Sequence, residues 1–346
     1  MAATTMILAV TERSRVVEAR RRAVEFASEQ RASDTDAGKV SIVATELATN
    51  LIKHAGSGEI AISGFEDGDG IGIELLALDR GPGIADLQRS LADGHSTAGS
   101  AGSGLGAIQR NSDVFAVSTH VGRGTAVLAR LRTTPARALR NGCLVSALCA
   151  PYPGESACGD VWAVKTSDHK LLALLADGSG HGPLAQLAAA RAKQAFLDWS
   201  NGTVEQIAGA IHRALGATRG AAIAVAEIEQ GSDAAHGQVN FVGIGNISAG
   251  LIERGSMRRM ISHSGTAGHL APRMRMFHYP FGDVATVILH SDALTARWKL
   301  EDYPGLANAH PSLVAGILYR DFRRGRDDAS VLVMRSHSQC RPASYA

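Results

Sequence analysis

Apolar residues recur every three or four positions through 14–30, at Val16, Ala19, Ala23, Phe26 and Ala27, and this spacing predicts a helix with one buried face. A second stripe, Val40, Ala44, Leu47 and Leu51, predicts another helix, capped near Asp34 or Thr35. The period then shortens. Residues 59–65 and 71–78 read as strands, and the mildly apolar start, 1–10, reads as a strand before them. A polar, glycine-rich stretch covers 81–104. It is followed by a helix near 105–112 and a hairpin of 114–120 and 125–131, turned by Gly122-Arg123-Gly124. This order predicts an α+β layer, with helices covering one face of a mixed sheet.

The pattern breaks over 132–142, which is basic, contains Pro135 and lacks apolar periodicity. We place a first domain at 1–134, a linker at 135–142, a second domain at 143–337 and a tail at 338–346. In the second domain, strands are predicted at 144–150, 161–166 and 171–176, then helices at 183–199 and 203–215. Further strands fall near 221–228, 238–243, 249–253 and 284–289, with a helix near 311–322 and a last strand at 329–334. No internal repeat relates the two halves.

A length of 346 residues suits two domains, and 45% hydrophobic with 20% charged residues suits buried cores. The net charge of +2 is too small to argue for nucleic acid or an anionic membrane as partner. Arginine pairs such as Arg20-Arg21 and Arg323-Arg324 read as solvated faces. No apolar run reaches the ~18 residues of a membrane span. The start has no basic segment and no small-residue cleavage site. Cys143, Cys149, Cys158 and Cys340 show no CxxC spacing, which fits a reduced, cytoplasmic location.

Candidate chemistry in the first half begins with Glu46, Asn50 and His54, spaced to share one helix face. An acid beside an amide can hold a hydrated Mg²⁺ and a reacting hydroxyl; alone, the pair reads more readily as a solvent-facing edge. The strand 75–78 then runs into Asp79-Arg80-Gly81-Pro82-Gly83. An aspartate there can accept a hydrogen bond from an exocyclic amine, and glycines let a ligand approach the backbone. Gly102-Ser103-Gly104-Leu105-Gly106 opens a helix, whose free N–H groups suit phosphate. Thr125 closes a GxGT run. Taken in order, Glu46 to Asn50 resembles the N-box of the GHKL ATPases, the group of gyrase and histidine kinases, and the two glycine segments resemble its glycine boxes.

Within that group, residues 10–132 are most similar to the anti-sigma-factor and stressosome switch serine kinases. The resemblance implies a GHKL (Bergerat) α/β sandwich binding ATP with Mg²⁺. It assigns Glu46 as general base, Asn50 to Mg²⁺ and Asp79 to adenine, with Thr125 behind the adenine pocket. Gly81, Gly83, Gly102, Gly104, Leu105 and Gly106 would line the nucleotide. No helical hairpin with a phospho-acceptor histidine is evident, so a serine or threonine of another protein is the expected acceptor. Such chemistry needs positioning and polarisation of the phosphates.

In the second half, aspartates recur at strand ends beside small residues: Gly159-Asp160, Asp177-Gly178-Ser179-Gly180-His181-Gly182, Ser291-Asp292 and Asp327-Asp328. One such aspartate is usually a turn former. Several brought together repel unless a hard divalent cation, Mg²⁺ or Mn²⁺, neutralises them. Over 140–336 these motifs resemble the PPM-type phosphatases of the stage II sporulation protein E branch, which implies an α-β-β-α sandwich. By resemblance Asp177 would bridge two metals, with Asp160 and the Gly178 carbonyl assisting one of them. Asp292 and Asp327 would complete the other, and Asp328 is the alternative to Asp327. His181 reads as a loop residue. The first strand of this half offers no arginine for the phosphate.

Together the resemblances imply a partner-switching regulator that phosphorylates and dephosphorylates serine or threonine on a protein, such as a STAS-domain antagonist or a sigma-factor regulator. An alternative is a nucleotide-dependent capture module, without kinase activity, fused to an active phosphatase. Homodimerisation is compatible with either.

Overall fold

The computed structural model describes residues 5–67, 70–91, 104–135, 143–167, 170–229, 237–270, 274–282 and 285–336. Gly102, most of the linker and the tail lie outside them. The chain forms two compact bodies: Thr5–Ala138 with Leu300–Arg320, and Leu139–Lys299 with Asp321–Ala346.

The N-terminal body contains β1 (Met6–Val10), α1 (Ser14–Glu29), α2 (Asp34–Asn50), β2 (Gly58–Asp67), β3 (Gly70–Leu78), α3 (Leu87–Leu91), α4 (Gly104–Arg110), β4 (Val114–His120) and β5 (Gly124–Pro135). Its sheet has the order β1-β2-β3-β5-β4. Every neighbouring pair is antiparallel, where a mixed sheet was expected, because each sheet neighbour joins through a hairpin or a return that reverses direction. The cap of α2 is Ser33, one residue before the expected position; its hydroxyl accepts from Asp36 N at 3.1 Å. Asp34 and Asp36 add negative charge at the positive end of that helix. The stripes of α1 and α2 pack on Ile60, Ile62, Ile73, Leu75 and Ala77.

The C-terminal body contains β6 (Cys143–Ala150), β7 (Asp160–Thr166), β8 (Lys170–Gly178), α5 (Pro183–Asp198), α6 (Val204–Ala214) and β9 (Ala221–Glu229). It continues with β10 (Gly237–Ile244), β11 (Ser248–Glu253), β12 (Ser256–Arg259), β13 (Ser262–His263), β14 (Phe277–Phe281), β15 (Ala285–His290) and β16 (Ala329–Ser336). Two sheets result, β13-β10-β9-β8-β7 with β14 on β10, and β12-β11-β15-β16-β6. Alternation along β8 sorts its side chains. Leu171, Ala173 and Leu175 enter the core between the sheets with Val287, Leu289, Leu332 and Met334. Leu174 and Ala176 face α5 and α6, against Ala188, Ala192, Phe196, Ile207 and Ile211. This is the layered β-sandwich that the second resemblance implies. No helix among the described residues is long and apolar enough to cross a membrane.

One helix departs from the expected domain plan. α7 (Pro311–Phe322) was expected inside 143–337, yet its residues through Arg320 group with the N-terminal body. Packing supplies the reason. A Cβ on Gly316 would stand 2.6 Å from Leu76 Cδ2 and 2.9 Å from Leu78 Cδ2, so glycine lets the helix press onto β3. Ser312 Oγ donates to Glu74 Oε2 at 2.6 Å, and Arg130 reaches Glu74, Asp67 and Ser312 from the next strand. Arg320 Nη1 donates to Asp79 O at 2.7 Å. β3 is therefore covered on both faces, which explains its unbroken apolar run from Leu75 to Leu78.

Candidate functional site

The last turns of α2 hold Glu46 and Asn50 one turn apart, both half-buried. The helix ends in a widened π turn, Leu51–Ala55, a local form that recurs at functional sites. His54 stands on it, exposed. At the start of α4, a Cβ on Gly104 would lie 3.1 Å from Asn50 Oδ1 and 3.4 Å from Glu46 Oε2. The second glycine segment thus meets the acid–amide pair, with Leu105 half-buried against the core and Gly106 buried.

Asp79 follows β3 directly. Its Oδ1 accepts from Gly81 N at 2.8 Å and Thr125 N at 3.1 Å. Among the described residues Oδ2 has no protein partner, which leaves one acceptor for an exocyclic amine. Gly83 takes φ +77°, and a Cβ there would meet His120 O at 2.4 Å. Thr125 is buried, with Oγ1 3.0 Å from Thr119 Oγ1, and Thr119 Oγ1 also accepts from Ile84 N at 2.8 Å. Sequence reasoning missed Thr119. Its place opposite Thr125 in the hairpin, a recurrent cross-strand threonine pair, was the available signal.

In the C-terminal body, Asp160 opens β7 and Asp177 sits opposite it near the end of β8. Asp292 follows β15 and Asp327 precedes β16. Asp160 is buried; Oδ2 accepts from Ser330 Oγ at 2.7 Å, while Oδ1 is enclosed without a hydrogen-bond partner among the described residues. Asp292 Oδ2 accepts from Asn246 Nδ2 at 2.6 Å. Ser330 and Asn246 were not singled out from the sequence, because only the fold brings them to these carboxylates. A Cβ on Gly178 would meet Ala185 O at 2.2 Å, so the loop lies flat against the start of α5.

The adjacent aspartates divide their work. Asp328 is buried and accepts from Tyr152 N and Gly159 N, both at 2.7 Å, through its two oxygens. Among the described residues, Asp327 accepts only from Asp328 N, at 2.9 Å. Asp328 is thus a strap between loops, and Asp327 is the one of the pair with oxygen left over among the described residues. His181 is held by Glu155, 2.7 Å from Nδ1, and stacks on Tyr152 at 5.1 Å.

Electrostatics ties these groups together. Burial, then the charges of Asp160, Asp292, Asp327 and Asp328, pushes Asp177 up to about 9. Burial followed by the Cys158 thiol raises Asp160 well above the carboxylate range. Asp327 is raised by burial, then by Asp292 and Asp328, against the hydrogen bond from Asp328 N. As they stand, no three acidic, histidine or cysteine side chains among the described residues converge tightly enough to hold an ion. The enclosed Asp160 oxygen and the mutual repulsion nevertheless suit a hard divalent cation, whose charge would let these carboxylates ionise together.

Known proteins resemble the chain in part and over nearly its whole length. A family described as the histidine kinase-like ATPase domain matches residues 9–131. The serine/threonine-protein kinase RsbT of Bacillus subtilis (strain 168) is 34% identical over 114 residues, 33% of this chain and 86% of that protein. A chain solved from the bacterial stressosome, a modular system adapted to control secondary messenger signalling, is similar with a TM-score of 0.51 and 25% identity. It covers 56% of this chain and 99% of its own. The PP2C phosphatase domain of SpoIIE from Bacillus subtilis, with a fragment of its regulatory domain, has a TM-score of 0.49 and 15% identity over 93% of each chain. Through its N-terminal body, this chain belongs to the histidine kinase-like ATPase family and is a relative of the serine/threonine-protein kinase RsbT.

Proposed function

We propose that the protein is a partner-switching regulator that adds phosphate to, and removes it from, serine or threonine of a protein partner. In the N-terminal body, Asp79 Oδ2 accepts from the adenine amine, the glycine segments at 81–83 and 104–106 admit the nucleotide, and Asn50 holds Mg²⁺. Glu46, one turn away, takes the proton of the attacking hydroxyl. In the C-terminal body, Asp160, Asp177, Asp292, Asp327 and the Gly178 carbonyl hold Mn²⁺ or Mg²⁺. Two such ions supply charge neutralisation and a polarised water for in-line attack on phosphorus. Ser330 and Asn246 hold two of the carboxylates in place, and Asp328 fixes the loops that carry them. A STAS-domain antagonist is the partner we favour, from the resemblance of residues 10–132 to the stressosome switch serine kinases.

The observation that carries this reading is the pairing, on one chain, of an open acceptor at Asp79 with a buried Asp177 that burial, then the neighbouring carboxylates, pushes up to about 9. The test is to incubate a candidate antagonist with ATP, Mg²⁺ and Mn²⁺ and to follow its phosphorylation by intact mass. Wild type should reach a low phosphorylated fraction, Asp177→Asn a high one, and Glu46→Gln none. Phosphorylation persisting in Glu46→Gln would remove the kinase assignment. An unchanged fraction in Asp177→Asn would mean that the two bodies do not act on one residue.

A further inference from the structure

β6 carries no arginine, so the strand that opens the C-terminal body offers no guanidinium to a substrate phosphate. Another element brings one. β8 and β9 run antiparallel with Asp177 opposite Ala222 and Gly178 opposite Ala221. The pairing extends past the strand ends, where Ser179 N donates to Gly220 O at 3.0 Å. The turn before β9 is pinned as well. Thr218 Oγ1 accepts from Gly220 N at 3.0 Å and donates to Leu215 O at 2.8 Å. Gly220 takes φ +77°, and a Cβ there would meet Thr266 Cγ2 at 2.6 Å. Residue 219 is therefore fixed beside the loop that follows Asp177.

The side chain at that position is Arg219. Its Nη1 lies 3.4 Å from where a Cβ on Gly180 would stand, three residues after Asp177. Gly180 O in turn lies 3.4 Å from the corresponding Cβ position on Gly159, next to Asp328 Oδ2. Arg219 is exposed and makes no hydrogen bond or ion pair among the described residues. His181, on the same loop, already has Nδ1 on Glu155. An unpaired guanidinium against the loop that follows Asp177 is a donor fork without an acceptor among the described residues. A phosphate monoester is an acceptor of matching geometry, because two of its oxygens accept from one guanidinium in parallel.

We infer that Arg219 is the phosphate-binding residue of the C-terminal site, gripping the non-bridging oxygens of the phosphorylated partner from the β9 side. The inference rests on the phosphatase reading above. It makes Arg219 a determinant of substrate binding, separate from the carboxylates that hold metal.

The experiment uses the full chain with Mn²⁺ and two readouts. The first is the KM and kcat for a phosphoserine peptide. The second is the rise in melting temperature with inorganic phosphate, which needs no turnover. Arg219→Ala should weaken both peptide KM and phosphate affinity about 10- to 150-fold, the loss of a charge-assisted hydrogen bond. Mn²⁺ affinity should stay unchanged, and Arg219→Lys should recover part of the loss. If phosphate stabilises wild type and Arg219→Ala alike, or stabilises neither, the assignment is overturned. Phosphate binding that depends on Arg219 in a wild type without turnover would uphold the anion site and remove the phosphatase reading instead.

Discussion

Asp177 has an ordinary carboxyl value of 3.8 and a folded value near 9. Between those limits the folded chain without metal keeps a proton that the unfolded chain has released. This raised group contributes stability that is complete below about pH 4 and is lost as pH rises through about 9. In EDTA, the melting temperature should therefore fall from pH 6 to pH 9 more steeply in wild type than in Asp177→Asn. Saturating Mn²⁺ should flatten the wild-type curve, since the cation then does what the proton did. Parallel slopes for the two proteins in EDTA would refute the electrostatic account. The aspartates themselves were legible because each stands at a strand end beside a small residue. What could not be read was which of Asp327 and Asp328 stays available. That depends on the amides of Tyr152 and Gly159, brought to Asp328 from 176 and 169 residues away.

At the scale of elements, periodicity located most helices and strands, because each has one or two apolar faces with a clear repeat. The short strands β12, β13 and β14 were not anticipated. Ser256–Arg259 is polar, and Ser262–His263 spans only two residues, so neither leaves a pattern to read. The cover on the outer face of β3 was also hidden, since an apolar run shows that a strand is buried on both sides without naming what buries it. Gly316 gives a direct check of that cover. In isolation, glycine to alanine should favour a helix. Here the added methyl meets Leu76 and Leu78, both only 2% exposed. We expect Gly316→Ala to lose about 1–3 kcal/mol, the usual range for overpacking, in urea unfolding of the N-terminal body monitored by amide hydrogen exchange in β3 and α7. A gain in stability would show that α7 does not press on β3.

At the scale of the whole chain, the two bodies are not two consecutive lengths of sequence. The N-terminal body draws Leu300–Arg320 from within the other half. A fragment from Leu139 to the end keeps those residues and loses Leu76, Leu78, Glu74, Arg130 and the Asp79 carbonyl that meet them. Such a fragment should be cleaved by protease first within 300–320, and adding residues 1–138 in trans should protect it. Equal protection of that segment in the fragment and in the full chain would contradict this expectation.

The position of α7 also sets an order of events during synthesis. The five-stranded sheet, with α2 carrying Glu46 and Asn50 and the turn after β3 carrying Asp79, is complete once Pro135 has left the ribosome, but the helix that covers Leu76 and Leu78 follows only at Arg320. At about 5–20 residues per second, the intervening chain takes roughly 10–35 s to emerge. For that interval the outer face of β3 and β5, with the Glu74 carboxylate and the Arg130 guanidinium on it, stands open to solvent and to chaperones. The nucleotide body of a nascent chain can reach its finished form only after nearly all of the β-sandwich has been made.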